Sequence, residues 1–148
     1  PHGVVSIGSG SFMSNGIREV SFPSSLTTIG SFAFERNGIR SLVLPRALTS
    51  LGYAAFHFNR IQEISFPRSL KEIGAGVFAN NRISELRLPN GLKTIGSRAF
   101  ADNAIANLTI PNSVESIGVA AFFGNKISNV VLPCQPPYSE QFKQRICS

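Results

Sequence analysis

The sequence repeats itself every 22 residues, and this period constrains the fold more than any other feature. Units this short cannot bury an apolar side alone, so they must stack into a solenoid. We number the units from Ile7, and residues 1–6 match the end of a preceding unit. The sequence therefore predicts a solenoid over 1–133, with a partial unit and then six repeats. The clearest columns, meaning positions one period apart, are Phe12, Phe34, Phe56, Phe78, Phe100 and Phe122, and Asn15, Asn37, Asn59, Asn81, Asn103 and Asn125.

Apolar residues alternate with polar ones in one half of each unit, as in Leu42 and Leu44, which is typical of a strand with one buried face. The predicted strands lie near 17–22, 39–44, 61–66, 83–88, 105–110 and 127–132. A rival strand at 95–100 is rejected, because it would place Arg98 in the core without a partner. The remaining half, such as 96–103, predicts one or two short helical turns. Two roles for the Asn column stay open: a left-handed residue that closes the turn, or a buried ladder that binds backbone groups of the next unit.

Residues 83–103, ISELRLPNGLKTIGSRAFADN, spell a unit that resembles the BspA-like, or Treponema pallidum-type, leucine-rich repeat. The resemblance covers roughly residues 1–133, although many members carry Cys at the Asn column and have 23-residue units. It implies an α/β repeat: a short right-handed solenoid with one parallel β-sheet on the concave side and short helical turns on the other. It also implies export, often to the bacterial surface, attachment to proteins or cells, and no catalytic residues.

The repeat ends at Pro133, and residues 134–148 are predicted to form a C-terminal cap closed by a disulfide between Cys134 and Cys147. Such a bridge closes a loop of about 14 residues and would contribute roughly 3 kcal/mol. It requires an oxidising compartment, so the protein is expected to be periplasmic, at the outer surface or secreted. Two free thiols in a cytosolic protein are the alternative.

The sequence contains no pattern typical of catalysis, of metal binding or of cofactor binding. No apolar run reaches the roughly 20 residues of a membrane helix. The net charge of +6 directs attention to anionic partners. Arg46, Arg60, Arg68 and Arg82 form a candidate basic flank that fits a sulfated glycan, or else an ordinary solvated surface. Nucleic acid is not expected, because no aromatic residues are interleaved for base stacking.

Unit 3 carries aromatic residues outside the repeat pattern: Tyr53, His57 and Phe58, with Phe32 in the unit before. Other units place Arg, Asp or Ser in the columns of Phe32, Tyr53 and Phe58, so these positions must reach solvent, and exposed aromatic patches mark interaction sites. We interpret them as a candidate partner site; local core filling or a contact between copies is the alternative. The expected function is an exported recognition or adhesion module. The alternatives are binding of a small hydrophobic ligand or peptide, and a structural role in the cell envelope.

Overall fold

The computed structural model describes residues 3–133 and shows a short β-solenoid of stacked units. Every strand pair is parallel and joins residues one period apart, such as Leu42 with Ile64. The prediction of six stacked units is confirmed, but the prediction of a single sheet is wrong. Two separate ladders of short strands run along the solenoid, on different parts of each unit.

The first ladder lies at the start of each unit and was not predicted. Its strands are β1 (Ser6–Ile7), β2 (Thr28–Ile29), β4 (Ser50–Leu51), β6 (Glu72–Ile73), β7 (Thr94–Ile95) and β9 (Ser116–Ile117). They form two three-stranded sheets in the orders β1-β2-β4 and β6-β7-β9. Strands of two residues are too short to show an alternating pattern, so the sequence gives no signal for them. The rejected strand at 95–100 overlaps β7 only at Ile95, while Arg98 is exposed, in agreement with the argument against burying it.

The second ladder lies within the predicted strand segments. Its strands are β3 (Ser41–Val43), β5 (Glu63–Ser65), β8 (Asn107–Thr109) and β10 (Asn129–Val131). They pair as β3–β5 and β8–β10, and a single bridge from Glu85 to Asn107 represents unit 4. Segment 17–22 contains no assigned strand. The predicted inward positions Leu42 and Leu44 are buried, which confirms the register.

The predicted helical turns are corrected: residues 3–133 contain no helix, and each segment such as 30–37 is an irregular turn. In unit 2 the amide nitrogens of Phe32, Phe34 and Arg36 donate to carbonyl oxygens of unit 3 at 2.8–2.9 Å. Equivalent bonds join every neighbouring pair of units. These donors therefore do not form helical bonds, and the positive φ of Phe32 and Arg36 interrupts any helical turn.

The Asn column forms the buried ladder that was one of its two predicted roles, but it binds backbone groups of the preceding unit, where the sequence predicted the next one. Asn59 Oδ1 accepts a hydrogen bond from the Ile39 amide at 3.2 Å. Asn59 Nδ2 donates to the Phe34 carbonyl of the preceding unit at 2.9 Å and to the Phe56 carbonyl of its own unit at 3.1 Å. The left-handed conformation falls one residue earlier, at Phe58, so Asn does not close the turn in that way. From unit 2 onward each Asn thus bonds backbone groups of the preceding unit, and without Asn59 the buried Ile39 amide would be unpaired.

Phenylalanine rings stack along the interior and form the centre of the core. The centroids of Phe34 and Phe56 lie 5.3 Å apart, those of Phe56 and Phe78 5.8 Å, and those of Phe78 and Phe100 5.5 Å. From unit 2 onward the residue before each Phe is buried, whereas Ser11 in unit 1 is exposed. Gly96 shows how closely units approach: a Cβ built there would lie 2.6 Å from the Ala75 nitrogen. This interior holds the turns of neighbouring units at a fixed spacing, so their outward side chains form continuous surfaces.

Candidate functional site

The turns 30–37, 52–59, 74–81 and 96–103 together form one side of the solenoid, which we call the turn face. The four residues of the predicted aromatic patch all lie on it. Phe32 and Tyr53 meet edge to face with their ring centroids 5.2 Å apart, and the rings of His57 and Phe58 lie 4.2 Å apart. Tyr53 is 55% exposed and Phe58 is 44% exposed. Both predicted exposures therefore agree with the structure.

A groove of about 360 Å³ crosses the turn face beside these aromatic side chains, and we call it the turn-face groove. Unit 4 supplies small residues in the middle of its lining, Ala75, Gly76 and Ala79. Larger residues flank them in the neighbouring units: Tyr53 and His57 in unit 3, and Arg98 and Asp102 in unit 5. The groove lies where these small residues of unit 4 stand beside Tyr53 and His57 on one side and Arg98 on the other. One wall is aromatic and the other carries both signs of charge.

A polar chain runs beneath the aromatic wall and links three units. Glu35 Oε1 lies 3.0 Å from His57 Nδ1, and His57 Nε2 lies 3.1 Å from Asn80 Nδ2. Glu35 is only 7% exposed. If the imidazole is neutral, with its proton on Nδ1, it donates to Glu35 and accepts from Asn80, so this tautomer satisfies both contacts. The chain fixes the orientation of the His57 ring, against which Phe58 packs.

The backbone at Phe32 and Phe58 is left-handed, with φ of 59° and 52°. Every unit shows positive φ in these two columns, including at Gly10, Gly76 and Gly124, so the turn imposes this conformation. The left-handed conformation costs a residue with a side chain about 1–2 kcal/mol of conformational free energy, and the cost is lowest for Gly and Asn. The local backbone therefore gives no reason for a phenylalanine at either position. Any favourable contribution of these two phenylalanines must therefore come from what their rings contact.

The four arginines of the predicted basic flank are all exposed, but the structure separates them. Arg82 lines a groove together with Glu63 and Glu85, where carboxylates dilute its charge. Arg60 lies one unit earlier in the same column and lines a different groove. Arg46 and Arg68 line neither of these two grooves.

Arg60 joins three arginines that were not predicted as a site. Arg18, Arg36, Arg40 and Arg60 line one groove of about 290 Å³, which we call the arginine groove. The rest of its lining consists of Asn15, Gly16, Asn37 and Gly38, so no carboxylate is among its lining residues. The Arg36 guanidinium lies over the Phe58 ring, with Cζ 5.1 Å from the centroid. A cation over an aromatic face is a favourable contact. Arg36 therefore connects the aromatic patch to the arginine groove.

The family model of the BspA-type leucine-rich repeat region matches residues 1–104, in six copies. The chain belongs to the BspA-type leucine-rich repeat family. This BspA-type solenoid is similar to the crystal structure of a leucine-rich repeat protein from Bacteroides ovatus, with a TM-score of 0.68 and 20% identity. That similarity covers 93% of this chain and 43% of the other. It is also similar to the pneumococcal vaccine antigen PcpA, with a TM-score of 0.56 and 21% identity, over 93% of this chain and 29% of the other.

The BspA-type chain thus spans less than half the length of either solved protein. At these identities the likeness concerns the fold. No curated protein matches the sequence.

Two features of this BspA-type site were not predicted from the sequence: the polar chain of Glu35, His57 and Asn80, and the arginine groove. The period nevertheless relates some of their residues. Glu35 precedes His57 by one period, and Asn80 follows Phe58 by one period. Arg18 and Arg40 are likewise one period apart. What the period does not reveal is that Arg36 and Arg60, from other columns, converge on the same groove.

Residues 3–133 bring together no group of three or more His, Cys, Asp or Glu side chains suited to a metal ion. Over the same residues the structure contains no helix that could cross a lipid bilayer. The predicted cap at 134–148 and its Cys134–Cys147 bridge lie outside the described residues. Both remain predictions from the sequence.

Proposed function

We propose that this BspA-type solenoid is an exported recognition module that binds a protein partner through its turn-face groove and the adjoining aromatic patch. The observation that carries the proposal is the exposure of Tyr53 and Phe58 beside a groove whose middle is lined by the small residues of unit 4. Tyrosine and other aromatic residues concentrate binding energy in protein interfaces, especially beside pockets that a partner side chain can fill.

The chemistry of the groove favours a protein segment over a purely apolar ligand. One wall carries Arg98 and Asp102, both exposed, and the other carries the imidazole of His57. An apolar ligand that covered these groups would remove them from water without replacing their hydrogen bonds, at a cost in free energy. A peptide offers carbonyl, amide and charged groups that can pair with them while an apolar side chain enters between the walls.

A non-catalytic role is part of the proposal. Both ring nitrogens of His57 are engaged, Nδ1 with Glu35 and Nε2 with Asn80. A general base needs a nitrogen free to reach the proton it removes. Export is proposed because BspA-type proteins are typically secreted or located at the cell surface, and because the predicted Cys134–Cys147 bridge requires an oxidising compartment. If the protein is exported with that bridge, thiol titration of denatured, unreduced protein should find no free thiol, and finding two would contradict the bridge.

A small hydrophobic ligand is the second candidate, because a groove of about 360 Å³ falls within the size range of small-molecule sites. An apolar fluorescent dye can test for it. Dye fluorescence that is lost in Tyr53→Ser, together with no binding to any protein, would favour this candidate over a protein partner.

The main experiment measures binding to a panel of immobilised, purified extracellular-matrix proteins. Tyr53→Ser introduces the residue that Ser31 and Ser97 already supply in that column. Val43→Ser is the matched control, because Val43 is exposed on the strand side and its column contains Ser21 and Ser65. We expect saturable binding that Tyr53→Ser weakens about tenfold or more, as for a central aromatic contact, while Val43→Ser changes it little. Equal losses in both variants would contradict a site on the turn face.

A further inference from the structure

The arginine groove gathers four guanidinium groups from three consecutive units. Arg18 comes from unit 1, Arg36 and Arg40 from unit 2, and Arg60 from unit 3. Arg18 and Arg40 occupy the same column in neighbouring units, where the spacing between adjacent parallel chains is about 4.8 Å. Segment 17–22 contains no assigned strand, so Arg18 and Arg40 are not a strand pair, but two exposed guanidinium groups on adjacent chains repel each other at low salt. An anion lying between these side chains would relieve that repulsion.

The described part of the chain supplies no such anion. Within residues 3–133 the ion pairs join Glu35 to His57 and Lys93 to Glu115, and neither involves an arginine. Glu35 is buried and already engaged with the imidazole. Glu19 lines a neighbouring groove with Arg18 and Arg40, without coming within ion-pair distance of either. The positive charge of the arginine groove is thus open to a partner from outside.

The lining of the groove narrows the chemistry of that partner. Guanidinium groups bind carboxylates through two parallel hydrogen bonds, which an ammonium group cannot do. Gly16 and Gly38 leave space between the arginines, and a Cβ built on Gly16 would meet nothing within 4 Å. No aromatic side chain belongs to the lining, so nucleic-acid bases have no surface to stack on.

The arginine groove is continuous with the proposed binding surface. Arg36 lies over Phe58, Phe58 packs on His57, and His57 lines the turn-face groove. A protein seated in the turn-face groove would therefore extend over the arginines. We propose that the partner carries an acidic segment, rich in Asp or Glu, whose carboxylates bind in the arginine groove. This inference rests on the proposed function and names the chemical class of its partner.

The test uses a fluorescent peptide of about eight residues, long enough when extended to pass three units, in which Glu alternates with Ser. Its twin has Gln in place of every Glu. Binding is measured by fluorescence anisotropy at low salt, with the whole chain and with single-residue variants. Arg60→Ser removes one groove arginine. Arg82→Ser is the matched control, because Arg82 occupies the same column one unit later and lies outside the arginine groove.

We expect the Glu peptide to bind and the Gln peptide not to bind. Arg60→Ser and Arg40→Ser should each weaken binding about fivefold or more, as loss of a close charge contact does, while Arg82→Ser should change it less than twofold. Added salt should weaken the interaction. Equal binding of both peptides, no binding of the Glu peptide, or an equal effect of Arg60→Ser and Arg82→Ser would each overturn the proposal.

A sulfated polysaccharide serves as a second probe. If it binds through Arg40 and Arg60 at least tenfold more tightly than the Glu peptide does, the site belongs to a sulfated glycan and the acidic-segment proposal is wrong. Tyr53→Ser separates the two proposals, because Tyr53 does not line the arginine groove. It should leave binding of the Glu peptide unchanged while it weakens binding of the matrix protein about tenfold or more. Failure of the Glu peptide alone leaves the turn-face groove as the partner site.

Discussion

The interior of the solenoid and its turn face differ in how strictly the repeat is kept. The Phe column holds the same residue in all six units, whereas the column of Phe58 holds Ser14, Arg36, Phe58, Asn80, Asp102 and Gly124. An interior ring must match the rings of the units before and after it, so a change in one unit disturbs both neighbours. A turn-face side chain meets solvent and can change alone. The repeat itself therefore carries stability, whereas the site that we propose for recognition lies where the sequence departs from the repeat.

The sharpest way to break this comparison is to exchange one phenylalanine from each region. Phe78→Ala removes a fully buried ring from the stack and should lower the free energy of unfolding by roughly 3–5 kcal/mol. Phe58→Asn introduces the residue of the next unit, which tolerates the left-handed backbone, and should cost less than about 1 kcal/mol. Urea denaturation of both variants measures the difference. Equal losses would mean that Phe58 belongs to the core.

The Asn ladder offers a comparison between the interior and the exposed first unit. Asn59→Ala leaves the Ile39 amide without its partner, while the Phe34 carbonyl still accepts a hydrogen bond from Asn37. One buried unpaired group costs about 1–3 kcal/mol, and we expect a loss in that range. Asn15 is exposed, and its amide group donates only within its own turn. Asn15→Ala should therefore lower the free energy of unfolding by less than about 1 kcal/mol. A loss equal to that of Asn59→Ala would show that the hydrogen bonds between units are not the source of the stabilisation.

The Glu35–His57 pair tests whether the turn face also contributes to stability. His57→Ala strands a buried carboxylate and should cost about 1–3 kcal/mol. Ala79 and Ala101 show that the column accepts alanine, so Glu35→Ala combined with His57→Ala should cost less than the sum of the single changes. Thermal or urea unfolding of the four proteins gives the coupling energy. A coupling energy near zero would mean that the contact between Glu35 and His57 does not stabilise the fold.

The smallest expected effect concerns the arginine groove. Arg40→Ser removes one of two neighbouring like charges and introduces the residue found at Ser84 and Ser128. The free energy of unfolding should stay the same or rise by up to about 0.5 kcal/mol at low ionic strength, and the gain should vanish as salt is added. A loss above about 1 kcal/mol would assign this guanidinium a structural role inside the protein.

The sequence predicted the features that depend on contacts between equivalent positions. The period identified the six units, the interior Phe column and the register of Leu42 and Leu44, and it identified the exposed aromatic patch. It did not predict the ladder that includes β7, or the replacement of helical turns by bonds between units. Two residues cannot display an alternating pattern, and the destination of an amide hydrogen in a turn depends on its backbone angles, which several residue types can adopt.

The sequence by itself determined which residues neighbour one another along the solenoid axis, because a fixed period places each residue directly against its counterpart one unit away. That is enough to fix the core, and to bring Glu35 next to His57 and Arg18 next to Arg40. Only the tertiary structure decided which columns meet across a unit. Arg36 and Phe58 both have left-handed backbone, and in the folded chain Arg36 lies over Phe58 and lines one groove with Arg60. The direction in which a turn projects its side chains depends on backbone angles, and the period of the sequence does not contain them.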